Sequence, residues 1–143
     1  MNAESEMFIR ITTGFAHVRT RMKDICRTLS TAFPGALIRD RIEFAQYENS
    51  FSENGSRYVI EFYFDIALGE GKSLCWWIDV EYIGEIWKIE ASLRRDDGAG
   101  ENCVWKATYQ ATTPEEVFSR LSTVLDEVER FAYHERENPG PEG

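Results

Sequence analysis

Sixteen residues near the middle of the chain, "CWWIDVEYIGEIWKIE" (Cys75–Glu90), restrict the fold more than any other stretch. On both sides of Gly84–Glu85, apolar and polar side chains alternate with a period of two. That is the pattern of strands whose two faces meet different surroundings. A two-residue turn at Gly84–Glu85, expected to be type II′ because glycine comes first, lays the two runs against each other. It sets Tyr82 opposite Trp87, Val80 opposite Ile89 and Ile78 opposite Ala91 on one face. The other face then holds Glu81 opposite Lys88, a favourable pair, and Asp79 opposite Glu90. A slip of one residue would exchange the faces, so their agreement specifies the register.

The same period runs through three more segments. "LIRDRIEF" puts Ile38, Ile42 and Phe44 on one face and Arg39, Arg41 and Glu43 on the other. "RYVIEFYFDIAL" sets Tyr58, Ile60, Phe62, Phe64 and Ile66 against Val59, Glu61, Tyr63 and Asp65. "CVWKATY" is read with Cys103, Trp105, Ala107 and Tyr109 inward. The segments are divided by "YENSFSENGS", "GEG" and "RRDDGAGEN", all rich in turn formers.

Helical periodicity flanks the strands. Phe8, Ile11, Phe15, Val18, Met22, Ile25 and Leu29 recur at steps of three and four. Ser5 or Thr12 is the expected cap, Gly14 weakens the first third, and "FPGA" ends the run. After the last strand, "TTPEE" gives Thr113 as N-cap, Pro114 as first helical residue and Glu116 closing a capping box. Val117, Phe118, Leu121, Val124, Leu125, Val128 and Phe131 make the second stripe. The fold class is therefore α+β: a five-stranded antiparallel sheet with both terminal helices on one face and the other face open. A single domain over residues 1–137 and a disordered tail at 138–143 are expected.

In this arrangement Trp76, Trp87 and Trp105 go to the core. Trp77 goes to the open face, with Val59, Tyr63, Ile86 and Val104 among carboxylates. A net charge of −9 argues against nucleic acid and for a basic partner. The charge is uneven: residues 1–33 carry five Lys/Arg and three Asp/Glu, whereas residues 47–143 carry nine and twenty. Aromatic residues ringed by acids are the composition of a protein-binding surface. The residues assigned to partner binding are Glu61, Tyr63, Asp65, Trp77, Asp79, Glu81 and Glu90; the helices and the Tyr47–Ser56 loop are the alternative surface.

Chemical motifs are sparse. "GEGKS" at Gly69–Ser73 lacks the earlier glycine of a phosphate-binding loop and is read as a hairpin turn. Asp79 opposite Glu90, beside Glu61 or Asp65, has the residue types for acid/base work, but a flat sheet face offers no dry cleft to tune them. His17 and His134 have no ligand partners at metal spacing. Neither Ser nor Cys has a histidine placed as base. No catalytic, cofactor or metal site is assigned, and an enzyme is not expected. Three cysteines with no C-x-x-C pair read as free thiols. No apolar run approaches the ~20 residues of a membrane span. "MNAESEMFIRITT" lacks the pattern of a secretory signal, so a cytoplasmic location is expected.

In size, acidity and layout the chain resembles small acidic immunity proteins of bacterial toxin systems, those of contact-dependent inhibition and related polymorphic toxins. The "WWIDVEYIGEIWKIE" hairpin and the closing helix "TTPEEVFSRLSTVLDEVERF" carry this resemblance, which extends over nearly the whole chain. It implies stoichiometric, non-catalytic binding that occludes a toxin's active site. The chain also resembles the acidic dimeric chaperones of type III secretion, which would make a second copy a partner. It departs from them in having no helix between the third and fourth strands. A small ligand-binding domain or enzyme, with its pocket between sheet and helices, is the third reading.

Overall fold

The register expected from the central hairpin is the one observed. The computed structural model describes residues 2–48 and 56–137. Their order is α1 (Ala3–Ala32), β1 (Leu37–Glu48), β2 (Ser56–Gly69), β3 (Lys72–Ile83), β4 (Ile86–Asp96), β5 (Glu101–Ala111) and α2 (Pro114–Glu137). The tail at 138–143 and most of the Tyr47–Ser56 loop lie outside the described residues. Tyr82 faces Trp87, Val80 faces Ile89, Ile78 faces Ala91 and Asp79 faces Glu90. The turn itself differs from expectation. Gly84 and Glu85 both have positive φ, 55° and 70°, which makes it type I′ rather than II′.

All five strands join in chain order into one antiparallel sheet. Two bulges adjust its faces. β2 slips by one residue between Ala67 and Gly69, because a two-residue turn at Glu70–Gly71 would otherwise set inward Phe62 and Phe64 against outward residues of β3. The other lies between β4 and β5, where Leu93 pairs with Trp105 and Arg94 with Cys103, leaving Val104 without an opposite residue. This second bulge corrects the sequence reading. Cys103 joins the outer face beside Arg94, and Val104 lies by Trp105 in a groove under α2.

α1 and α2 cover the inner face. Every connection reverses the chain, and with five strands between them the two helices must run parallel. Residue numbers along their seam rise together: Arg10 pairs with Glu115 and Arg21 with Asp126, and the Arg21 guanidinium donates to the Ser122 carbonyl at 3.0 Å. Beneath them, Met22, Ile25 and Leu29 of α1 and Leu121, Val124, Leu125 and Val128 of α2 share one core with Phe62, Phe64, Trp76, Ile78 and Ile89 of the sheet. Aromatic contacts pin the layers at both ends. Phe15 stacks on Phe62 and meets Phe118 edge-on, while Phe131 meets both Phe33 and Trp76.

Gly14, the weak point of the first helical stripe, has a packing role. A Cβ there would lie 2.3 Å from Cε2 and Cζ of Phe118. The glycine is the notch that lets the second helix approach. The caps follow the sequence in part. α1 is capped by Asn2, whose side chain accepts from Ser5 N–H at 2.8 Å. Thr12, by contrast, bonds back to the Phe8 carbonyl inside the helix. At α2, Thr113 accepts from Glu116 N–H at 3.2 Å as expected, while Glu116 reaches the Thr112 hydroxyl at 3.0 Å. The tryptophans also divide differently. Trp76 is buried, but Trp87 and Trp105 are half-buried at the margin of the core, and Tyr82 is exposed.

Two stability measurements test this packing. Gly14→Ala improves helix propensity yet is expected to destabilise by about 1–3 kcal/mol in chemical denaturation, because the ring of Phe118 must move. A stabilised variant would remove Gly14 from the seam. Trp76→Ala is expected to cost about 3–5 kcal/mol and Trp87→Ala clearly less; the reverse order would contradict the assignment of Trp76 to the core.

Candidate functional site

With each side chain committed to one face, the strand registers write out the outer surface. Glu43, Glu61, Asp79 and Glu90 lie opposite one another in a row across four strands. At ~4.8 Å between strands the row is about 14 Å long. The next row holds Arg41, Tyr63, Trp77, Ser92 and Lys106, and the row beyond it Arg39, Asp65, Cys75, Arg94 and Cys103. On the other side of the carboxylates, Val59, Glu81 and Lys88 align.

The seven residues assigned from sequence to partner binding all fall on this face, but it is not a uniformly solvated surface. Glu61 is 2% exposed, Glu81 7% and Tyr63 9%, and Val59 is also buried. Asp65, Trp77, Asp79 and Glu90 are half-exposed. A partner meeting this face as it stands reaches those four, while Glu61, Tyr63 and Glu81 lie beneath. Ile86 is exposed at the hairpin tip.

Local hydrogen bonds explain how carboxylates sit among aromatic rings. The Tyr63 hydroxyl donates to Glu61, and the Trp77 indole N–H donates to Asp79 at 2.5 Å. The two rings pack with centroids 5.4 Å apart. Lys88 stands opposite Glu81 in the register, as expected, and pairs with Glu90 at 3.0 Å on its own strand.

Sequence reasoning missed the two arginines that close this arrangement. The Arg41 guanidinium lies 4.3 Å from the Tyr63 ring centroid, and that of Arg94 lies 4.7 Å from the Trp77 centroid. Each is also held by carboxylates. Arg41 donates to Asp65 at 2.9 Å and to Glu43 at 2.7 Å, and Arg94 to Glu101 at 2.9 Å. Burial pulls the pKa of Arg41 down, but the bond and charge of Asp65, then Glu43, leave it raised. Extending the hairpin register would have set Arg94 beside Trp77. No comparable signal was available for Arg41, because a long loop separates β1 from β2.

Beside Trp77 a recess of about 200 Å³ opens, lined also by Asp79, Glu90, Ser92, Arg94 and Lys106. Small-molecule sites usually occupy ~300–1,000 Å³ and are mostly apolar, so this one suits the end of a side chain better. Larger grooves lie on the helix side. One of about 520 Å³ runs between α2 and β4–β5 past Trp105 and His134, and one of about 320 Å³ lies between the helices near Gly14 and His17. Among the described residues no group of three His, Cys, Asp or Glu is placed to hold a metal ion, and no helix is long and apolar enough to cross a membrane. "GEGKS" forms the β2–β3 turn.

All three cysteines are free thiols. Cys75 and Cys103 sit on opposite sides of Arg94, two strands apart, which is ~10 Å and beyond disulfide reach. Burial, reinforced by a hydrogen bond to Asp65, pushes the Cys75 thiol up to about 12. Burial and the nearby Asp40 raise Cys26 to about 11. Comparison of the chain with protein-family models, with curated proteins and with solved structures finds no match.

Thiol alkylation checks this environment, because the reactive form is the thiolate. A raised pKa leaves Cys75 and Cys26 protonated at about pH 8, while Cys103 is exposed. Iodoacetamide is expected to add once rapidly, at Cys103, with the other two labelled only after unfolding. Fast labelling of Cys75 in the native protein, read by intact-mass and peptide spectrometry, would contradict the outer-face geometry.

Proposed function

We propose that this chain is a non-catalytic interaction protein, and specifically an immunity protein that neutralises a cognate bacterial toxin by covering it with the outer face of the sheet. The observation that carries this reading is the row Glu43–Glu61–Asp79–Glu90. Like charges directly opposite each other on neighbouring strands destabilise a sheet, and here three such pairs follow in succession. Tyr63, Trp77, Arg41 and Lys88 offset part of that cost. Four carboxylates gathered in one row of a sheet face suit contact with a cationic surface.

The net charge of −9 extends the attraction beyond contact distance and speeds encounter with a cationic surface. Asp65, Asp79 and Glu90 supply the contacting charges and Trp77 the apolar area. Glu61 and Glu81 lie beneath the surface, out of a partner's reach. The acidity, the two-layer fold and the resemblance to immunity proteins support the same reading.

Asp79→Asn with Glu90→Gln separates the two roles of the row. The amide introduced at position 79 keeps an acceptor for the Trp77 N–H, so the free protein is expected to gain about 0.2–1 kcal/mol by losing a like-charge pair. The same variant should capture less of a basic protein from lysate of the source organism, and wild-type capture should weaken as salt rises above 0.1 M, where screening acts within ~10 Å. Capture that ignores both the double variant and salt would end the case for the outer face.

A further inference from the structure

The resident arginines identify what the outer face recognises. This inference rests on the interaction reading above and goes further by naming the chemistry of the partner. Each of the two aromatic rings at the centre of the face carries a guanidinium. Arg41 lies over Tyr63 and Arg94 over Trp77, at 4.3 and 4.7 Å from the ring centroids. Both guanidinium groups are also held by a carboxylate within 3 Å, Asp65 for Arg41 and Glu101 for Arg94. A planar cation between a ring and a carboxylate uses stacking and directed hydrogen bonding together, which an ammonium group does not match.

The recess beside Trp77 repeats these elements in a form open to another molecule. Its wall includes Trp77, Asp79, Glu90 and Ser92, together with Arg94 and Lys106. At about 200 Å³ it admits the end of one side chain and not a larger ligand. Asp79 and Glu90 face each other across β3 and β4, and Asp79 sits at the edge of the Trp77 ring, where it accepts from the indole N–H, so two carboxylates stand beside one ring. Arg94 and Lys106 line the recess and Lys88 pairs with Glu90, so charge attraction alone is weaker here than the carboxylate row suggests. Shape and stacking have to supply the remainder.

We infer that the recess formed by Trp77, Asp79, Glu90 and Ser92 is a receptor for an arginine side chain of a protein partner, and that Arg94 occupies part of this site in the free protein. Binding then exchanges one guanidinium for another over the Trp77 ring. The resident arginine covers the ring until the partner arrives, and it competes only with a group that stacks there. The partner surface is arginine-rich rather than merely basic.

Titration with nona-arginine and nona-lysine peptides, of equal length and charge, tests the inference on the intact chain by calorimetry and tryptophan fluorescence. The quantity to compare is the ratio of the two affinities. Wild type is expected to prefer the arginine peptide at least fivefold. Arg94→Ala should widen that ratio at least another threefold, because the resident group no longer competes; its added negative charge helps both peptides alike. Asp79→Asn with Glu90→Gln should bring the ratio below about twofold. Circular dichroism of each variant checks that the fold persists, and Arg94→Lys, which keeps the charge, should behave like Arg94→Ala. Equal, salt-sensitive binding of both peptides, or a ratio unmoved by Arg94→Ala, overturns the arginine receptor and leaves the acidic-surface reading standing. Failure of both peptides to bind at low salt overturns the two together.

Discussion

The rest of the structure depends on the register of β3 against β4. In a sheet every side chain belongs to one of two faces, and a shift of one residue exchanges them all. The turn at Gly84–Glu85 fixes which set goes where, although Glu85 must adopt a left-handed conformation, φ 70°, to close it. Once Ile78, Val80, Ile89 and Ala91 are turned inward, the helices have an apolar surface to cover. Asp79 and Glu90 are then opposite each other whether or not that suits the sheet.

The inner face could be closed only by bringing two parallel helices together over five strands. Strands ~4.8 Å apart make a sheet about 24 Å wide, and helices pack at 8–10 Å, so two just span it. Any gap at their seam would open the sheet beneath to water. Gly14 removes the side chain that would hold α2 away, and Phe118 fills the space with its ring against Phe15. The cost in helix propensity, up to ~1 kcal/mol for a glycine in a helix, is small against the apolar area so covered.

On the outer face the balance differs, because no helix covers it. Its centre is closed instead by Arg41 over Tyr63 and Arg94 over Trp77, which bridge neighbouring strands, and by the Tyr63 and Trp77 donors onto Glu61 and Asp79 along their own strands. Such contacts satisfy polar groups locally and exchange more readily than core packing, since the arginine heads remain partly in solvent. A surface built in this way is held by its own side chains while its arginine heads still reach solvent. That property is what the proposed binding role requires.

How much of this could be read without coordinates follows from the range of the interactions. Period-two and period-3.6 patterns, the β3–β4 register and the Thr113 cap are local, and the sequence by itself determined them, together with the α+β class and the face on which Trp77 lies. The parallel run of the helices was also implicit, since five reversing strands leave no other direction. Tertiary structure alone decided the burial of Glu61, Tyr63 and Glu81, because exposure depends on side chains supplied by neighbouring strands. It alone decided the bulge that turned Cys103 outward, since an unpaired residue leaves no periodic signal until its partner strand is in place. The same holds for the stacking of Arg41 on Tyr63, which joins residues from β1 and β2 across a connection whose length fixes no register. Alternation records which face a residue takes; what stands opposite it there is settled only when the strands meet.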